Sequence, residues 1–467
     1  MISSWNLRLT GSGTAEKMPL AYWLFLVGGL LLATSLASGW LRHTPVTPFA
    51  LYVVAGMAIG PWGLKVAQVH WLEHMTLMEQ ATRVALLVSL FLGGLKLRLS
   101  WRDPRWRMAL RLAFPAMVLT IAGGALAAHA LAGLAWPLAL AFAAAVAPTD
   151  PVLASLVSVD DARDHDALRV ALSGEAGLND GAAMPALSLA LLWLVPSTAP
   201  ADWRHWLLVD VLWALPAGLL IGFGLAYAIG SLATRLKAMS GDTAPSDLLA
   251  LALLALTWAS AEALHASIFF AAFAAGLGLR HTERTVVSRH PNPAVRDELD
   301  ELSSHPPAEV LVNPNLRDHV KPAEPAASIG LMVSDALSFG DTLERLIAAG
   351  LTLALGVAFA TFWSPTGALL ALLLFVVVRP LSVWLATAHS GAGHAHRLLL
   401  GWLGIRGIGG LNYLGYAAVR GVSTVEIHRL ADLVVTVVVL SVLVHGASAQ
   451  PLLAWRQAVQ DRRQGSS

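Results

Sequence analysis

The chain alternates long apolar stretches with short polar connections along almost its whole length. A spanning helix needs about 20 predominantly apolar residues, and fewer where it is broken or buried in protein. Thirteen runs meet this description: 19–40, 46–63, 81–97, 109–132, 136–158, 169–195, 206–233, 246–264, 266–280, 343–363, 366–388, 397–419 and 431–455. The pattern predicts an all-α polytopic membrane protein with about thirteen transmembrane helices.

The first run has a second interpretation. Residues 20–40 follow Lys17 and could be read as a cleaved signal peptide that ends near Ala37 and Ser38. The run is as long as a spanning helix, so we favour a retained first helix.

The runs divide the chain into five parts. We expect an N-terminal tail (1–18), nine helices (19–280), a polar cytoplasmic segment (281–342), four further helices (343–455) and a C-terminal tail (456–467). The polar segment carries seven prolines among mixed charges, which favours a partly disordered linker over a regulatory segment.

Lysine and arginine are concentrated in alternate connections. The connection after the third run carries six of them: Lys96, Arg98, Arg102, Arg105, Arg107 and Arg111. Because cytoplasmic loops carry the excess of basic residues, this side is predicted to be cytoplasmic. Counting helices from there puts the N-terminus outside and the C-terminus in the cytoplasm.

Composition supports a membrane protein and narrows its chemistry. The chain is 56% hydrophobic and 13% charged, whereas ordinary soluble domains are about 25% charged. Its net charge of +1 gives no indication of a nucleic-acid partner. The absence of cysteine excludes disulfides, thiolate metal sites and cysteine nucleophiles. Nothing indicates a cofactor, and we interpret His394 and His396 as solvated rather than metal-binding.

Carboxylates interrupt two neighbouring runs. Asp150 lies between two prolines in residues 147–151, and the next run carries Glu175 and Asp180. A charge in lipid costs several kcal/mol unless it is paired or faces water. Unwound backbone at this depth is tolerated only where it lines a cavity or packs within protein. The pattern therefore predicts a cation site beside a broken helix.

A second break is predicted in the twelfth run. Residues 404–410 contain four glycines, which weaken a helix, and one arginine, Arg406. Broken helices at matching places in two halves of a chain are typical of transporters with inverted repeats. We expect two such repeats here, with Arg406 balancing Asp150 or setting the field at the cation site.

Asp180 is the residue predicted to carry the ion. A carboxyl held between burial and a nearby cation can bind a proton or a small cation, one excluding the other. Asn179 supplies an amide that can hold Asp150 or the broken-helix backbone without adding charge. A single carrying carboxylate predicts one proton per monovalent cation and no net charge movement. Purely structural roles for Asp180 and Asn179 are the alternatives.

Glu175 and Arg379 are predicted to form a structural ion pair. Glu175 lies on the helical face of Asn179 and is turned away from Asp180. Arg379 stands in the middle of an apolar run and needs an anion. Pairing the two removes two penalties of several kcal/mol.

Taken in order, these motifs resemble the monovalent cation:proton antiporters, in particular the sodium/proton exchanger branch that includes the bacterial NhaP type. Thr149-Asp150-Pro151 resembles the break in that family's fifth helix, and residues 175–181 resemble its glutamate…asparagine-aspartate-glycine signature. Arg379 resembles the arginine that pairs with the signature glutamate, and residues 404–410 the second break. The resemblance covers roughly residues 20–455.

The resemblance implies a thirteen-helix fold in which a core domain moves against a dimerisation domain. It implies a homodimeric antiporter of the bacterial inner membrane, without enzymatic activity, that exchanges Na+ and/or K+ for H+ by alternating access and serves pH homeostasis. Asp180 would bind the cation and the proton competitively, with Asp150, Asn179 and the Thr149 backbone close by.

Two positions depart from the family pattern. Ala176 stands where members usually have serine, and Leu92 where many have an acidic residue. Both changes remove oxygen ligands, so a K+-preferring antiporter and a transport-impaired sensor of the same fold stay open.

Two alternatives come from other function classes. An intramembrane aspartyl hydrolase would use Asp150 and Asp180 to activate water, but the chain lacks the tyrosine-aspartate and glycine-x-glycine-aspartate runs expected of one. An ion channel would explain two matched helix breaks less well than alternating access does.

Overall fold

The computed structural model describes residues 46–100, 102–159, 166–195, 202–240, 246–289 and 324–464, with isolated positions at 25–26, 28–32, 36, 308, 311 and 312. These residues form helices and connecting turns, with no β-strand among them. The helices are α1 (Pro48–Ile59), α2 (Met75–Lys96), α3 (Trp106–Ala132), α4 (Trp136–Val146), α5 (Ala167–Leu194), α6 (Trp203–Ser240), α7 (Asp247–Ala263), α8 (Ile268–Arg289), α9 (Pro325–Phe362), α10 (Pro365–Ala386), α11 (His394–Trp402), α12 (Ile408–Val419) and α13 (Thr424–Gln464). The prediction of an all-α polytopic membrane protein is confirmed.

The helices of the described residues overlap the predicted runs from 46–63 onward, several of them with different ends. Within this part of the chain, six helices are long and apolar enough to span a membrane on length and composition alone: α2 with its preceding turn, α3, α6, α9, α10 and α13. The first predicted run, 19–40, lies largely outside the described residues.

The polar segment predicted at 281–342 is helical at both ends. α8 continues to Arg289, and α9 starts at Pro325 and runs for 38 residues. Hydropathy placed the boundaries where apolar residues become sparse, but these helices continue on faces that pack against protein. Glu283 near the end of α8 and Glu344 within α9 are both buried. Most of the intervening linker lies outside the described residues.

Two helices are interrupted and lie against each other at their breaks. α4 ends at Val146, and a non-helical stretch, 147–152, precedes one short turn. α11 and α12 are separated by the non-helical residues 403–407. The backbone N–H of Asp150 donates to the carbonyl of Ile405 at 2.8 Å, which joins one break to the other. Both predicted breaks are therefore present, and they meet.

α5 passes through the protein interior beside these breaks. Its glycines receive aromatic rings from α8: a Cβ at Gly177 would lie 2.1 Å from the Phe273 ring, and one at Gly181 would lie 2.6 Å from the Phe270 ring. Side chains would push these helices apart. The glycines therefore fix how deeply α5, with its carboxylates, is buried.

α1 and α9 cross in backbone contact. A Cβ at Gly56 would lie 2.2 Å from the Leu353 carbonyl oxygen, and one at Gly356 would lie 2.1 Å from the Val53 carbonyl oxygen. Small residues allow membrane helices to approach this closely. The crossing therefore depends on glycine at both positions.

We expect Gly356→Leu to destabilise the protein by about 3 kcal/mol or more, because the atoms met by the new side chain belong to backbone that cannot move aside. The monodisperse fraction on size-exclusion chromatography in detergent should fall sharply. Gly350→Leu is the matched control on the same helix, since a Cβ there meets nothing within 4 Å. Equal folded yields for the two variants would contradict the close crossing.

Candidate functional site

The Asp150 side chain joins the two breaks. Its Oδ1 accepts a hydrogen bond from the backbone N–H of Leu153 at 3.0 Å, and its Oδ2 accepts one from that of Gly409 at 2.9 Å. Leu153 begins the turn after the first break, and Gly409 lies in the first turn of α12. One carboxylate therefore caps the start of two helical segments, where the backbone amides favour an anion.

Thr149, on the first break, collects three side chains of the predicted site. Its carbonyl oxygen accepts a hydrogen bond from Asn179 Nδ2 at 2.8 Å. Its hydroxyl donates to Glu175 Oε1 at 3.1 Å and accepts from Arg406 Nη1 at 3.1 Å. Of the two contacts expected for Asn179, the structure has the one to the broken-helix backbone.

Glu175 and Arg379 are in direct contact, as the sequence had suggested. Arg379 Nη2 donates to Glu175 Oε1 at 2.5 Å, and the two side chains are 1% and 0% exposed. The residues are far apart in sequence and lie on α5 and α10. Their contact fixes these helices against each other at a point without access to water.

Arg406 lies beside this pair. A Cβ at Gly404 would be 2.9 Å from Arg406 Nη1 and 3.1 Å from Arg379 Nε, so the two guanidinium groups share the space that glycine leaves. Arg406 was expected to balance Asp150 or to set the field at the cation site, and a direct contact between the two is not among the described interactions. Backbone amides hold Asp150 instead, because the broken helices bring their free N–H groups to its carboxylate.

Asp180 differs from the other carboxylates. It is 0% exposed, and neither side-chain oxygen has a hydrogen-bond partner among the described residues. Its backbone carbonyl accepts a hydrogen bond from the Tyr413 hydroxyl. A Cβ at Gly409 would lie 3.1 Å from Asp180 Oδ1 and 4.0 Å from Asp150 Oδ2, so this glycine leaves space between two carboxylates. A buried carboxylate without donors needs a proton or a cation.

Two cavities approach Asp180 along α5 from opposite directions. The larger, about 300 Å³, has Gly181 and later residues of α5 in its wall. The smaller, about 30 Å³, has Gly177 and earlier residues of α5 in its wall. Asp180 lies on the stretch of helix that separates the two cavities.

The larger cavity has both charged and apolar side chains in its wall. Its charged and titratable lining residues are Arg83, His205, Asp210, Glu262, His265, Tyr416 and Arg420. The smaller cavity contains both positions that depart from the family pattern, Leu92 and Ala176. The missing oxygens therefore concern one approach to Asp180 and not the other.

Sequence reasoning missed several residues of this site. Tyr413 and Ser441 support the backbone: the first donates to Asp180, and the Ser441 hydroxyl accepts from the Arg406 N–H at 2.7 Å. Both are polar residues inside apolar runs, and that was the signal in the sequence that could have identified them. Hydropathy alone does not tell which of them face the site.

A resident metal site is not apparent in the described part of the chain. No group of three histidine, aspartate or glutamate side chains there is arranged to hold a metal ion. His394 stacks on Trp384, with ring centroids 5.0 Å apart.

An all-helical membrane protein in which two broken helices meet at buried carboxylates has the architecture of a secondary transporter. A sequence profile described as sodium/hydrogen exchanger, transmembrane, matches residues 27–297 of the 467. The chain belongs to the sodium/hydrogen exchanger family, which confirms the family predicted from the motifs.

Individual relatives are consistent with this assignment. The chain is 30% identical over 214 residues to a probable Na+/H+ antiporter of Schizosaccharomyces pombe, covering 44% of this chain and 28% of that protein. It is 30% identical over 179 residues to Na+/H+ antiporter 2 of Zygosaccharomyces rouxii, covering 37% and 22%. The matches thus span less than a third of either relative's length.

The fold is also that of a solved structure. The sodium proton antiporter MjNhaP1 from Methanocaldococcus jannaschii at pH 8 superposes with a TM-score of 0.66 at 17% sequence identity. The similarity covers 93% of this chain and 97% of MjNhaP1. At this identity the comparison concerns the fold alone.

The buried ion pair generates a stability prediction. Glu175→Gln or Arg379→Met should each lower the free energy of unfolding by about 3–5 kcal/mol, because the remaining charge is left buried and unpaired. Thermal unfolding in detergent checks this, and the double variant should regain part of the loss.

Asp103→Asn is the control. It removes an ion pair with Arg105 that is partly exposed: the arginine side chain is 31% exposed and the aspartate side chain 16%. Its effect should stay below about 1 kcal/mol. If both buried single variants unfolded at the temperature of the unaltered protein, the structural role of the Glu175–Arg379 pair would be wrong.

Proposed function

We propose that this protein exchanges a monovalent cation, Na+ and/or K+, for H+ across the membrane by alternating access. Asp180 binds the cation and the proton in turn. One observation carries this proposal: both side-chain oxygens of Asp180 are buried without a partner among the described residues, at the point that separates two cavities.

Charge balance around the breaks supports Asp180 as the carrier. With Asp150 and Glu175 ionised, two negative charges face the two positive charges of Arg379 and Arg406. Asp180 is then the uncompensated charge of the cluster. One proton or one monovalent cation neutralises it, and both cannot be bound together.

The same balance supports electroneutral exchange. Asn179 adds no titratable group, and its amide already bonds the Thr149 carbonyl oxygen. One carrying carboxylate loses one proton for each monovalent cation that it binds. A complete cycle therefore moves no net charge.

The cavities support alternating access. Each reaches α5 on a different side of Asp180, and the two differ in volume, about 300 and 30 Å³. A rearrangement that exchanged their sizes would present Asp180 to the other side of the membrane. Ions would then cross without a continuous pore, which distinguishes this protein from a channel.

Ala176 and Leu92 support a second candidate for the cation. Neither side chain offers an oxygen to the smaller cavity, so an ion there depends more on water and backbone carbonyls. Weaker protein ligation favours a cation that loses its hydration water readily, and K+ loses its water more readily than Na+. A K+-preferring antiporter and a transport-impaired sensor are the corresponding alternatives.

No observation favours a hydrolase, since backbone amides hold Asp150 and the two aspartates are not equivalent.

We also propose a homodimer in a bacterial inner membrane, with the N-terminus outside and the C-terminus in the cytoplasm. The distribution of basic residues supports this orientation. The dimer and the membrane rest on the resemblance to NhaP-type exchangers.

Asp180→Asn should abolish exchange, because an amide neither binds the proton nor balances the cation. Proteoliposomes with a pH-sensitive dye report proton movement on addition of Na+, K+ or Li+ in turn. The unaltered protein should give cation-dependent flux that identifies the preferred ion, and the variant should give only background flux.

Asp103→Asn makes the same chemical change away from the site and should retain full flux. Full exchange by folded Asp180→Asn would exclude Asp180 as the carrier. If none of the three cations produced proton flux in unaltered protein shown to be folded, the transport-impaired sensor would be favoured.

Electroneutrality is tested separately. Imposing a membrane potential of about 100 mV does work of about 2.3 kcal/mol on each net charge moved, which is nearly a fiftyfold bias. We expect initial exchange rates that are the same at zero and imposed potential. A rate that follows the potential would indicate more than one proton per cation.

A further inference from the structure

A fourth carboxylate lies near the site, and the proposed cycle does not use it. Glu344 stands about halfway along the 38-residue α9 and is 7% exposed. It lines the smaller cavity, together with Ala176 and Gly177 of α5. Its side chain therefore faces the same space as the helical turn that precedes Asp180.

The surroundings of Glu344 leave its charge poorly compensated. Its Oε1 accepts a hydrogen bond from the Ser89 hydroxyl, which is neutral. Lys96 is the cationic residue among those that line the cavity, and it pairs with Asp341 at 3.0 Å. A carboxylate kept for structure alone would be expected to hold a cation of the protein directly.

The packing of α2 against α9 keeps this carboxylate in the cavity. A Cβ at Gly340 would lie 2.5 Å from Leu92 Cδ2, so Leu92 fills the groove over Gly340. Glu344 is one helical turn further along α9. Among the residues that line this cavity it is the one carboxylate.

The cavity has the size and the chemistry for a small cation with water. Its volume of about 30 Å³ exceeds the roughly 10–15 Å³ that one water molecule needs. Carboxylate and hydroxyl oxygens are the ligands that hard cations prefer. Glu344 and Ser89 supply both, and Pro151 of the first helix break lies in the same lining.

We propose that Glu344, positioned by Ser89, is a transient cation-binding group on the path between Asp180 and the side of the protein where Lys96 lies. This inference rests on the proposed exchange function. Glu344 concentrates monovalent cations next to Asp180 and releases them as the site turns over. It sets the apparent affinity on this side, whereas Asp180 performs the exchange.

Glu344→Gln tests this role by kinetics. Because Lys96 is paired with Asp341, Glu344 leaves an excess negative charge in this cavity, and such a charge raises the local counter-ion concentration by about tenfold or more at low ionic strength. The apparent KM for the cation should therefore rise by about tenfold when the cation is offered from the Lys96 side, with Vmax changed less than about twofold. Ser89→Ala should give a smaller rise and Glu344→Asp a partial recovery.

Asp103→Asn is the control for a general surface charge, since residue 103 follows Lys96 in the same connection. Its KM should be unchanged. An unchanged KM in Glu344→Gln, with exchange intact, overturns the inference and leaves the proposed function standing.

A second measurement does not depend on transport. The chain contains no cysteine, so a single introduced thiol can be labelled selectively. In folded protein in vesicles, Glu344→Cys should react with a small cationic methanethiosulfonate from the Lys96 side, and added Na+ or K+ should slow the reaction. Ala348→Cys, one turn further on α9 and 0% exposed, is the matched control and should stay unlabelled.

The two measurements separate the possible failures. Absence of exchange by the unaltered protein contradicts the proposed function, and the labelling then decides the inference alone. Unreactive Glu344→Cys in folded protein overturns a water-filled path at this position. Reactivity from the Lys96 side that cations slow supports it.

Discussion

The structure depends on keeping charged side chains inside an apolar helix bundle. An isolated charge there costs several kcal/mol. The protein meets this constraint in two ways: Arg379 neutralises Glu175 directly, and the free amides of two helix breaks hold Asp150. The carboxylate of Asp150 needs the free amides of the breaks, and these amides need an acceptor such as Asp150. Among the three carboxylates at the described breaks, Asp180 lies outside this compensation, and the proposed exchange uses the imbalance that it leaves.

Glycine makes the compensation geometrically feasible. At Gly404, Gly407 and Gly409 a single added carbon would lie within about 3 Å of the charged or packed groups of the cluster, including 2.8 Å from Asp150 Cγ at Gly407. Backbone therefore reaches the carboxylates where a side chain would block it. Glycines without side chains likewise allow α1 to pack against α9 and α5 to pack against α8. The position of Asp180 is a product of these contacts between helices that are distant in sequence.

The residues that interrupt apolar periodicity were predictable, and those defined by packing were not. Asp150 and Asp180 stand out because a charge in a spanning helix demands an explanation, and Glu175 could be paired with Arg379 because each needed a partner. For Arg406 two roles were left open, since spacing along the chain does not tell which side of a break a side chain takes. Glu344 was missed because it lies at the edge of an apolar run. Hydropathy treats the preceding residues as a loop, although α9 begins at Pro325.

The double attachment of Asp150 has a mechanical consequence. Its carboxylate bonds the amides after both breaks, and its own N–H bonds the Ile405 carbonyl oxygen. Sliding one broken helix past the other would leave buried donors and a carboxylate unpaired, each at about 1–3 kcal/mol or more. The two segments therefore behave as a single rigid piece. Relative movement is then expected at the borders between that piece and the surrounding helices, and not between the two breaks.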